Sequence, residues 1–161
     1  MDDDVTLDVV DAGSSVARDA MTQYFEELEG RFAEGFQDVD ALDDASRSFN
    51  PPRGLFVVAT VDGRPVGCGG VRFLDGTTGE IKRMWVSPTS RGRGLGRRLL
   101  ARLEEEIRGT GRRRIVLDTN GSLTEAISLY RSHGYVSIPR YNDNPYAEHW
   151  FEKSLTGNAA T

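Results

Sequence analysis

A glycine-rich turn between an apolar run and a helical stretch most constrains the fold of this chain. Residues 91–97 read Arg-Gly-Arg-Gly-Leu-Gly-Arg and follow the apolar residues 84–86. Glycines let backbone N–H groups turn toward a bound group, and the free amides of a first helical turn add about half a positive charge. This order predicts a strand, a loop and a helix N-terminus that bind an anion, for which phosphate is the natural candidate.

Basic charge is concentrated around this turn. Between residues 82 and 102 the chain carries seven Lys or Arg residues and no acidic residue, although its overall formal charge is -5. Focused positive charge suits a small polyphosphate better than a nucleic-acid duplex, which needs a wide basic face. The sequence therefore predicts a phosphate-bearing ligand and no nucleic-acid partner.

Two common phosphate-binding loops do not match this turn. A nucleotide-triphosphate loop needs Lys and then Ser or Thr after its last glycine, whereas Gly96 is followed by Arg97 and Arg98. The dinucleotide fingerprint needs a different glycine spacing from that of Gly92, Gly94 and Gly96. Both interpretations are therefore set aside.

The turn does match the pattern Arg/Gln-x-x-Gly-x-Gly/Ala through Arg91, Gly94 and Gly96. In this it resembles the acyl-CoA pyrophosphate loop of the GCN5-related N-acetyltransferase (GNAT) superfamily. Residues 80–88 resemble the fourth strand of that family, and residues 126–135 resemble its last helix and the strand that follows. Three motifs in the order of the family make the resemblance specific.

The resemblance implies an acetyl-CoA-dependent N-acetyltransferase. Such an enzyme moves the acetyl group of acetyl-CoA to a primary amine by direct attack in a ternary complex, and the expected acceptor is a small molecule: an amino acid, a polyamine or an amino-bearing antibiotic. A peptide or protein acceptor is the alternative. The alternative of another class is a non-catalytic module that binds acyl-CoA as a sensor.

The hydrophobic pattern predicts the order strand, helices, three strands, helix, strand, helix and two strands, which indicates an α/β (α+β) fold. The resemblance implies a mixed, mostly antiparallel central sheet flanked by helices. The 161 residues fit a single domain with its core at about residues 5–155. The resemblance also allows a homodimer through the C-terminal strands.

Cysteine use and hydropathy indicate a cytoplasmic protein. The chain has one cysteine, Cys68, which forms no intramolecular disulfide and has no neighbours spaced as metal ligands. We expect no metal site. The acidic N-terminus is unlike a signal peptide, and no apolar run approaches the ~18 residues that span a membrane. We therefore expect no membrane association.

Two residues are the catalytic candidates. By resemblance, Tyr130 is the general acid: a phenol with a pKa near ~10 can protonate a thiolate with a pKa near ~8.5. From the residues alone, the alternative is an interior aromatic whose hydroxyl is a polar handle. Glu80 is the candidate base, acting directly or through water. Its alternative is an exposed carboxylate at the start of a strand.

By resemblance, the glycine-rich turn surrounds the CoA pyrophosphate, and the backbone of the fourth strand binds pantetheine. The amide of Val86 is expected to polarise the thioester carbonyl, and Asn120 follows the fifth strand at a cofactor position. The candidate cofactor-binding residues are Met84, Trp85, Val86, Arg91, Gly92, Arg93, Gly94, Leu95, Gly96, Arg97 and Asn120.

Aromatic and polar side chains from the N-terminal helix and the final loop are the candidate acceptor-binding residues. Their mixture suits a small amine, and equally a peptide terminus. The candidates are Tyr24, Phe25, Phe32, Tyr141, Asn142, Asn144 and Tyr146.

Overall fold

The structure is a computed structural model that describes residues 5–31, 41–121 and 123–155. The predicted order of elements is confirmed. The helices are α1 (Ser15–Arg31), α2 (Ala41–Ser48), α3 (Leu95–Gly109) and α4 (Thr124–Ser132). The strands are β1 (Val5–Val10), β2 (Gly54–Val61), β3 (Arg64–Phe73), β4 (Thr78–Val86), β5 (Arg114–Thr119), β6 (Val136–Ser137) and β7 (His149–Ser154).

The strands form one seven-stranded sheet in the order β1-β2-β3-β4-β5-β7-β6. Its pairs are antiparallel except for the parallel pair of β4 and β5. That parallel register covers Thr78–Ile81 and Arg114–Leu117, after which β4 continues to Val86 and β5 to Thr119. The carboxyl ends of the two strands therefore diverge, and the sheet opens at its middle. The predicted α/β class with a mostly antiparallel sheet is confirmed.

Helices cover both faces of the sheet. The apolar stripe of α3 packs with Ile81, Ile115 and Leu117 on one face, where Tyr130 of α4 also lies. On the other face α1 and α2 pack against Phe56, Val58 and other core residues. Alternation of side chains along each strand separates the two clusters.

A β-bulge interrupts β4 where the sheet opens. Gly70 pairs with Lys82 and Cys68 pairs with Trp85, so Arg83 and Met84 together face Gly69. Arg83 takes a φ of 56°, and its carbonyl accepts the Cys68 S–H at 3.3 Å. An extra residue in one strand reverses which face the following side chains point to. Trp85 therefore packs with α1 while Met84 packs with the α3 cluster.

The C-terminal region differs from the prediction of a longer strand after α4. Of the described residues after α4, Val136 and Ser137 pair with β7 as β6, and Ile138 N–H donates to the Trp150 carbonyl at 2.9 Å. The residues that follow form a loop that returns to β7 over the α1 face of the sheet. Trp150 of β7 donates its indole N–H to Asn142 of this loop at 2.9 Å. Side-chain hydrogen bonds thus replace a strand ladder here.

A buried ion pair joins α3 to β7. The Glu104 side chain accepts hydrogen bonds from Lys153 Nζ at 3.0 and 3.1 Å and from the Tyr135 hydroxyl at 2.8 Å. Replacing Glu104 by alanine leaves both donors without this partner, so we expect a loss of about 3 kcal/mol in the free energy of unfolding. Thermal denaturation should then show a melting temperature lower by roughly 6–12 °C.

The neighbouring Glu105 is the matched control for this change. Its side chain is 69% exposed, so Glu105→Ala should change the free energy of unfolding by no more than about 0.5 kcal/mol. Equal melting temperatures for Glu104→Ala and Glu105→Ala would contradict a stabilising role of the buried pair.

In the described part of the chain, no helix is both long and apolar enough to cross a membrane. Within the same residues, no group of three or more His, Cys, Asp or Glu side chains is arranged to hold a metal ion.

Candidate active site

Two adjoining cavities open where β4 and β5 diverge. The first, which we call the loop cavity, has a volume of about 330 Å³ and lies between α1, the end of β4, the glycine-rich turn and α4. The second, the strand-end cavity, has a volume of about 310 Å³ and reaches the ends of β4 and β5 and the final loop. Six residues line both cavities: Tyr24, Leu28, Met84, Leu123, Ala126 and Tyr130.

The glycine-rich turn forms one wall of the loop cavity. Gly92 and Gly94 have φ values of 81° and 80°, in the left-handed region that glycine adopts without strain. Gly94 is the N-cap of α3, which begins at Leu95. The first amides of α3 therefore lie beside a cavity wall that also includes Arg91 and Arg97, as a phosphate site requires.

Arg91 connects this turn to β4 and to α1. Its Nη2 lies 2.7 and 2.6 Å from the carboxylate oxygens of Glu27, and its Nε donates to the Val86 carbonyl at 3.0 Å. The Trp85 indole N–H also donates to Glu27, at 3.1 Å. Glu27, which the sequence analysis did not select, therefore places a carboxylate beside the predicted phosphate site.

Two tyrosines stand where the cavities join. Tyr130 of α4 is 5% exposed, and Tyr24 of α1 lies on the same shared wall. Among the described residues, no group forms a hydrogen bond with either hydroxyl. Burial, and then the negative charge of Asp118, raise the pKa of Tyr130. Burial also raises the pKa of Tyr24, with Tyr130 as the next cause. Both phenols are therefore protonated at neutral pH.

A carboxylate held by polar side chains lies at the end of β5. Asp118 accepts from Lys82 Nζ at 3.2 Å and from Asn142 Nδ2 at 2.5 Å through one oxygen, and from Asn144 Nδ2 at 3.0 Å through the other. Asp118, Lys82 and Asn144 line the strand-end cavity. These contacts hold the Asp118 side chain at the cavity wall with both of its oxygens hydrogen-bonded.

Glu80 lines neither cavity. It is 0% exposed and accepts hydrogen bonds from Arg72 at 2.8 Å and from the Tyr141 hydroxyl at 2.7 Å. Burial, and then the charge of Glu80, raise the pKa of Tyr141. The alternative of an exposed carboxylate is wrong, because the loop after β6 covers Glu80, whereas its role as the base stays a prediction. Through its hydrogen bond with Tyr141, Glu80 attaches that loop to the sheet.

The other candidates divide between the cavities. Asn120 lies in the strand-end cavity, not the loop cavity, and its amide donates to the Tyr146 carbonyl at 2.6 Å. Arg93 points away from both and lines a separate surface groove with Arg64. Tyr141 and Asn142 lie behind the cavity wall, where they bind Glu80 and Asp118.

The remaining candidates line the cavity expected for their ligand. The cofactor candidates in the loop cavity are Met84, Trp85, Val86, Arg91, Gly92, Gly94, Leu95, Gly96 and Arg97, and the acceptor candidates in the strand-end cavity are Tyr24, Phe25, Asn144 and Tyr146. Phe32 lies outside the described residues.

Comparison with known proteins decides the family. Residues 17–135 match the model of the Acetyltransferase (GNAT) family. The chain belongs to this family. A curated relative, the IAA acetyltransferase of Azospirillum brasilense, is 37% identical over 126 residues, which is 77% of this chain and 82% of the relative. The predicted GNAT membership is confirmed, and this GNAT protein is an acetyl-CoA-dependent N-acetyltransferase.

Solved GNAT structures share the fold at low sequence identity. A GNAT acetyltransferase from Staphylococcus aureus superposes with a TM-score of 0.82 at 16% identity, covering 94% of this chain and 99% of that chain. A GNAT acetyltransferase from Elizabethkingia anophelis, solved with acetyl-CoA bound, gives a TM-score of 0.68 at 18% identity over 95% of this chain and 99% of that chain. The co-substrate of this GNAT enzyme is acetyl-CoA, and its acceptor is an amine.

Proposed function

We propose that this acetyltransferase acetylates the primary amine of a small molecule by direct attack in a ternary complex. The observation that carries the proposal is the position of Tyr130 where two cavities meet. One cavity has the glycine-rich turn and helix amides that suit a CoA pyrophosphate. The other has charged and polar walls that suit an amine acceptor. Two substrates in adjoining cavities can react without a covalent enzyme intermediate.

The loop cavity is the proposed site of acetyl-CoA. Its turn supplies Gly92, Gly94 and Gly96, whose lack of side chains lets the pyrophosphate approach the backbone. Arg91 and Arg97 add positive charge to the same wall. The backbone of Met84–Val86 borders the cavity and is proposed to bind pantetheine, with the Val86 amide as the donor to the thioester oxygen.

The size of the strand-end cavity supports a small acceptor. Its volume of about 310 Å³ is at the lower end of the range of ligand pockets, about 300–1,000 Å³. Residues 144–147 of the final loop form part of its wall. A peptide would need a groove that continues beyond the reacting amine.

Tyr130 is the proposed general acid. In the transfer the neutral amine nitrogen bonds to the acyl carbon, the carbon–sulfur bond breaks, and the sulfur takes the phenolic proton. The nitrogen releases one proton to water as the amide forms, and a proton from water restores the phenol. Burial raises the pKa of Tyr130, which makes it a weaker acid. The thiolate, however, forms in the same apolar surroundings, where its own pKa is raised for the same reason. The pKa values of the phenol and of the CoA thiol therefore rise together, and the proton transfer between them remains favourable.

The proposal gives Glu80 no part in deprotonating the amine. Its oxygens are bound by Arg72 and Tyr141 on the far side of the cavity wall. Asp118 is the carboxylate that borders the strand-end cavity. Because Asp118 is paired with Lys82 at 3.2 Å, the proposal assigns it no proton transfer, and the amine loses its proton to water before it attacks.

The experiment measures thiol release from acetyl-CoA with free amino acids, polyamines, aminoglycosides and short peptides as acceptors. We expect at least one class of small amine to exceed every peptide by about tenfold or more in kcat/KM, because only a small amine fits the strand-end cavity. Peptides as the best acceptors would support the alternative of a protein acetyltransferase. Acetyl-CoA binding without turnover on any amine would contradict the proposed acceptor.

We also propose a single catalytic domain that acts in the cytoplasm as a homodimer. The sole cysteine, Cys68, is buried and unpaired, as suits a reducing compartment. Val136 on the edge strand β6 is 58% exposed and offers an apolar contact for a second copy. Sedimentation analysis would measure the oligomeric state directly.

A further inference from the structure

The bulge in β4 directs two consecutive cationic side chains, Lys82 and Arg83, into the strand-end cavity. In a regular strand neighbouring side chains point to opposite faces of the sheet. Arg83 belongs to the bulge, and its φ of 56° is one that residues other than glycine rarely adopt. Strained residues of this kind concentrate at functional sites. The bulge is therefore the reason that both cations line one cavity.

Side chains of α1 and of Phe49, which directly follows α2, contact the guanidinium of Arg83. Its Cζ lies 5.2 Å from the centroid of the Phe25 ring and 5.0 Å from that of Phe49, and its Nη1 lies 3.4 Å from Sδ of Met21. Aromatic faces attract a cation and restrict its movement. A guanidinium has five N–H donors, more than a single partner occupies. Arg83 is thus preorganised and can bind a further anion.

The charges on the described part of the cavity wall favour an anionic group. Lys82 is paired with Asp118 at 3.2 Å, and Asn144 also donates to Asp118, at 3.0 Å. That ion pair is neutral overall. The charged residues among the described lining are therefore two cations, Lys82 and Arg83, and one carboxylate, that of Asp118.

We propose that the acceptor is an aminocarboxylate, such as a free amino acid, and that Arg83 binds its carboxylate. This inference rests on the proposed function, because it names the occupant of the same strand-end cavity. The amine reacts beside Tyr130, and the carboxylate contacts the Arg83 wall. A guanidinium matches a carboxylate through two parallel hydrogen bonds. Polyamines and aminoglycosides are disfavoured because their remaining ammonium groups face this cation.

The test compares each acceptor with an analogue that lacks the negative charge. Thiol release from acetyl-CoA is measured with free amino acids, with the carboxamide of each, and with spermidine and kanamycin as polycations. We expect the kcat/KM of the best free amino acid to exceed that of its carboxamide at least about tenfold, because the carboxamide cannot form the charge-assisted hydrogen bonds with Arg83. The difference should be in KM, since the carboxylate does not react.

Substitutions at Arg83 test the assignment to this residue. Arg83→Met should reduce the preference for the free amino acid to less than about threefold by raising its KM, and Arg83→Lys should restore part of the preference. Arg112→Met is the matched control: Arg112 also stacks on an aromatic ring, with its Cζ 3.9 Å from the centroid of Phe73, but it lines neither cavity. This control should keep the full preference. Thermal denaturation with and without CoA checks that each variant folds.

The possible results separate this inference from the proposed function. If carboxamides or polycations are used as well as free amino acids, the inference is overturned and small-molecule acetylation stands. If a folded Arg83→Met enzyme keeps the preference, the assignment to Arg83 is overturned. If that variant does not fold, the preference of Arg83→Lys for the free amino acid over its carboxamide, compared with that of the wild-type enzyme, tests the assignment. Thiol release with peptides alone, or with no amine, would overturn the proposed function and this inference with it.

Discussion

Replacing Tyr130 by phenylalanine should lower kcat for thiol release from acetyl-CoA by about 100-fold, because general acid catalysis contributes about 10²–10⁴-fold. The change should leave the KM for acetyl-CoA nearly unaltered. No described residue hydrogen-bonds the Tyr130 hydroxyl, so its removal leaves no partner unsatisfied. Steady-state kinetics with saturating acceptor measures the effect, and the melting temperature should stay within a few degrees of wild type.

Tyr135→Phe is the matched control for this substitution. The Tyr135 ring lies 5.7 Å from that of Tyr130 and is also buried, but it lines neither cavity. Its hydroxyl donates to Glu104, so this variant should lose stability and keep its kcat. An equal loss of kcat in both variants would contradict a specific role for Tyr130.

The pH dependence of kcat gives a second check. Burial raises the pKa of Tyr130 above its ordinary value of 10.0. A neutral acid with a raised pKa keeps its proton at every pH below that value. We therefore expect no descending limb in the kcat profile up to pH ~10. A descending limb near pH 8 that is absent from Tyr130→Phe would show that this pKa is lowered in the enzyme.

Replacing Arg91 by alanine should raise the KM for acetyl-CoA by roughly 30-fold, equivalent to about 2 kcal/mol. The variant loses a cation from the loop cavity. It also leaves the carboxylate of Glu27, 20% exposed, in the wall that is proposed to bind the pyrophosphate. Both changes weaken the binding of an anion. Kinetics at varied acetyl-CoA concentration measures the effect.

A second substitution separates the two causes. In the Arg91→Ala background, Glu27→Gln removes the opposing negative charge, so the double variant should recover part of the lost affinity. Arg102→Ala is the matched control, because Arg102 likewise binds a carboxylate, that of Glu106, and a backbone carbonyl, that of Leu7. Arg102 lies outside both cavities and should leave the KM unchanged. A double variant no better than Arg91→Ala would contradict repulsion by Glu27.

The sequence predicted the features that depend on local signals. The order of elements follows from hydrophobic periodicity and turn residues, which act within a few positions of one another. The glycine-rich turn was recognisable because positive φ values at Gly92 and Gly94 favour glycine. Tyr130 was found through a family pattern, and spacing alone would have left it as a core residue.

The side chains that line each cavity were predicted less completely. Glu80, Lys82 and Arg83 lie within four positions of one predicted strand, and nothing in that segment indicates a bulge. The bulge depends on pairing with β3, whose residues lie more than ten positions earlier. Glu27 reads as one acidic residue in a helix, and its meeting with Arg91 spans 64 positions. Such contacts leave no local trace.

The sequence by itself determined the fold class, the glycine-rich turn before α3 and the family, because glycine conformation, apolar periodicity and motif order are properties of neighbouring residues. Only the tertiary structure decided that Glu80 is enclosed and that Asp118 and Arg83 border the strand-end cavity. Those positions depend on where β4 and β5 diverge, where β4 bulges and how the final loop folds over the sheet. Each of these is set by hydrogen bonds and packing between distant segments.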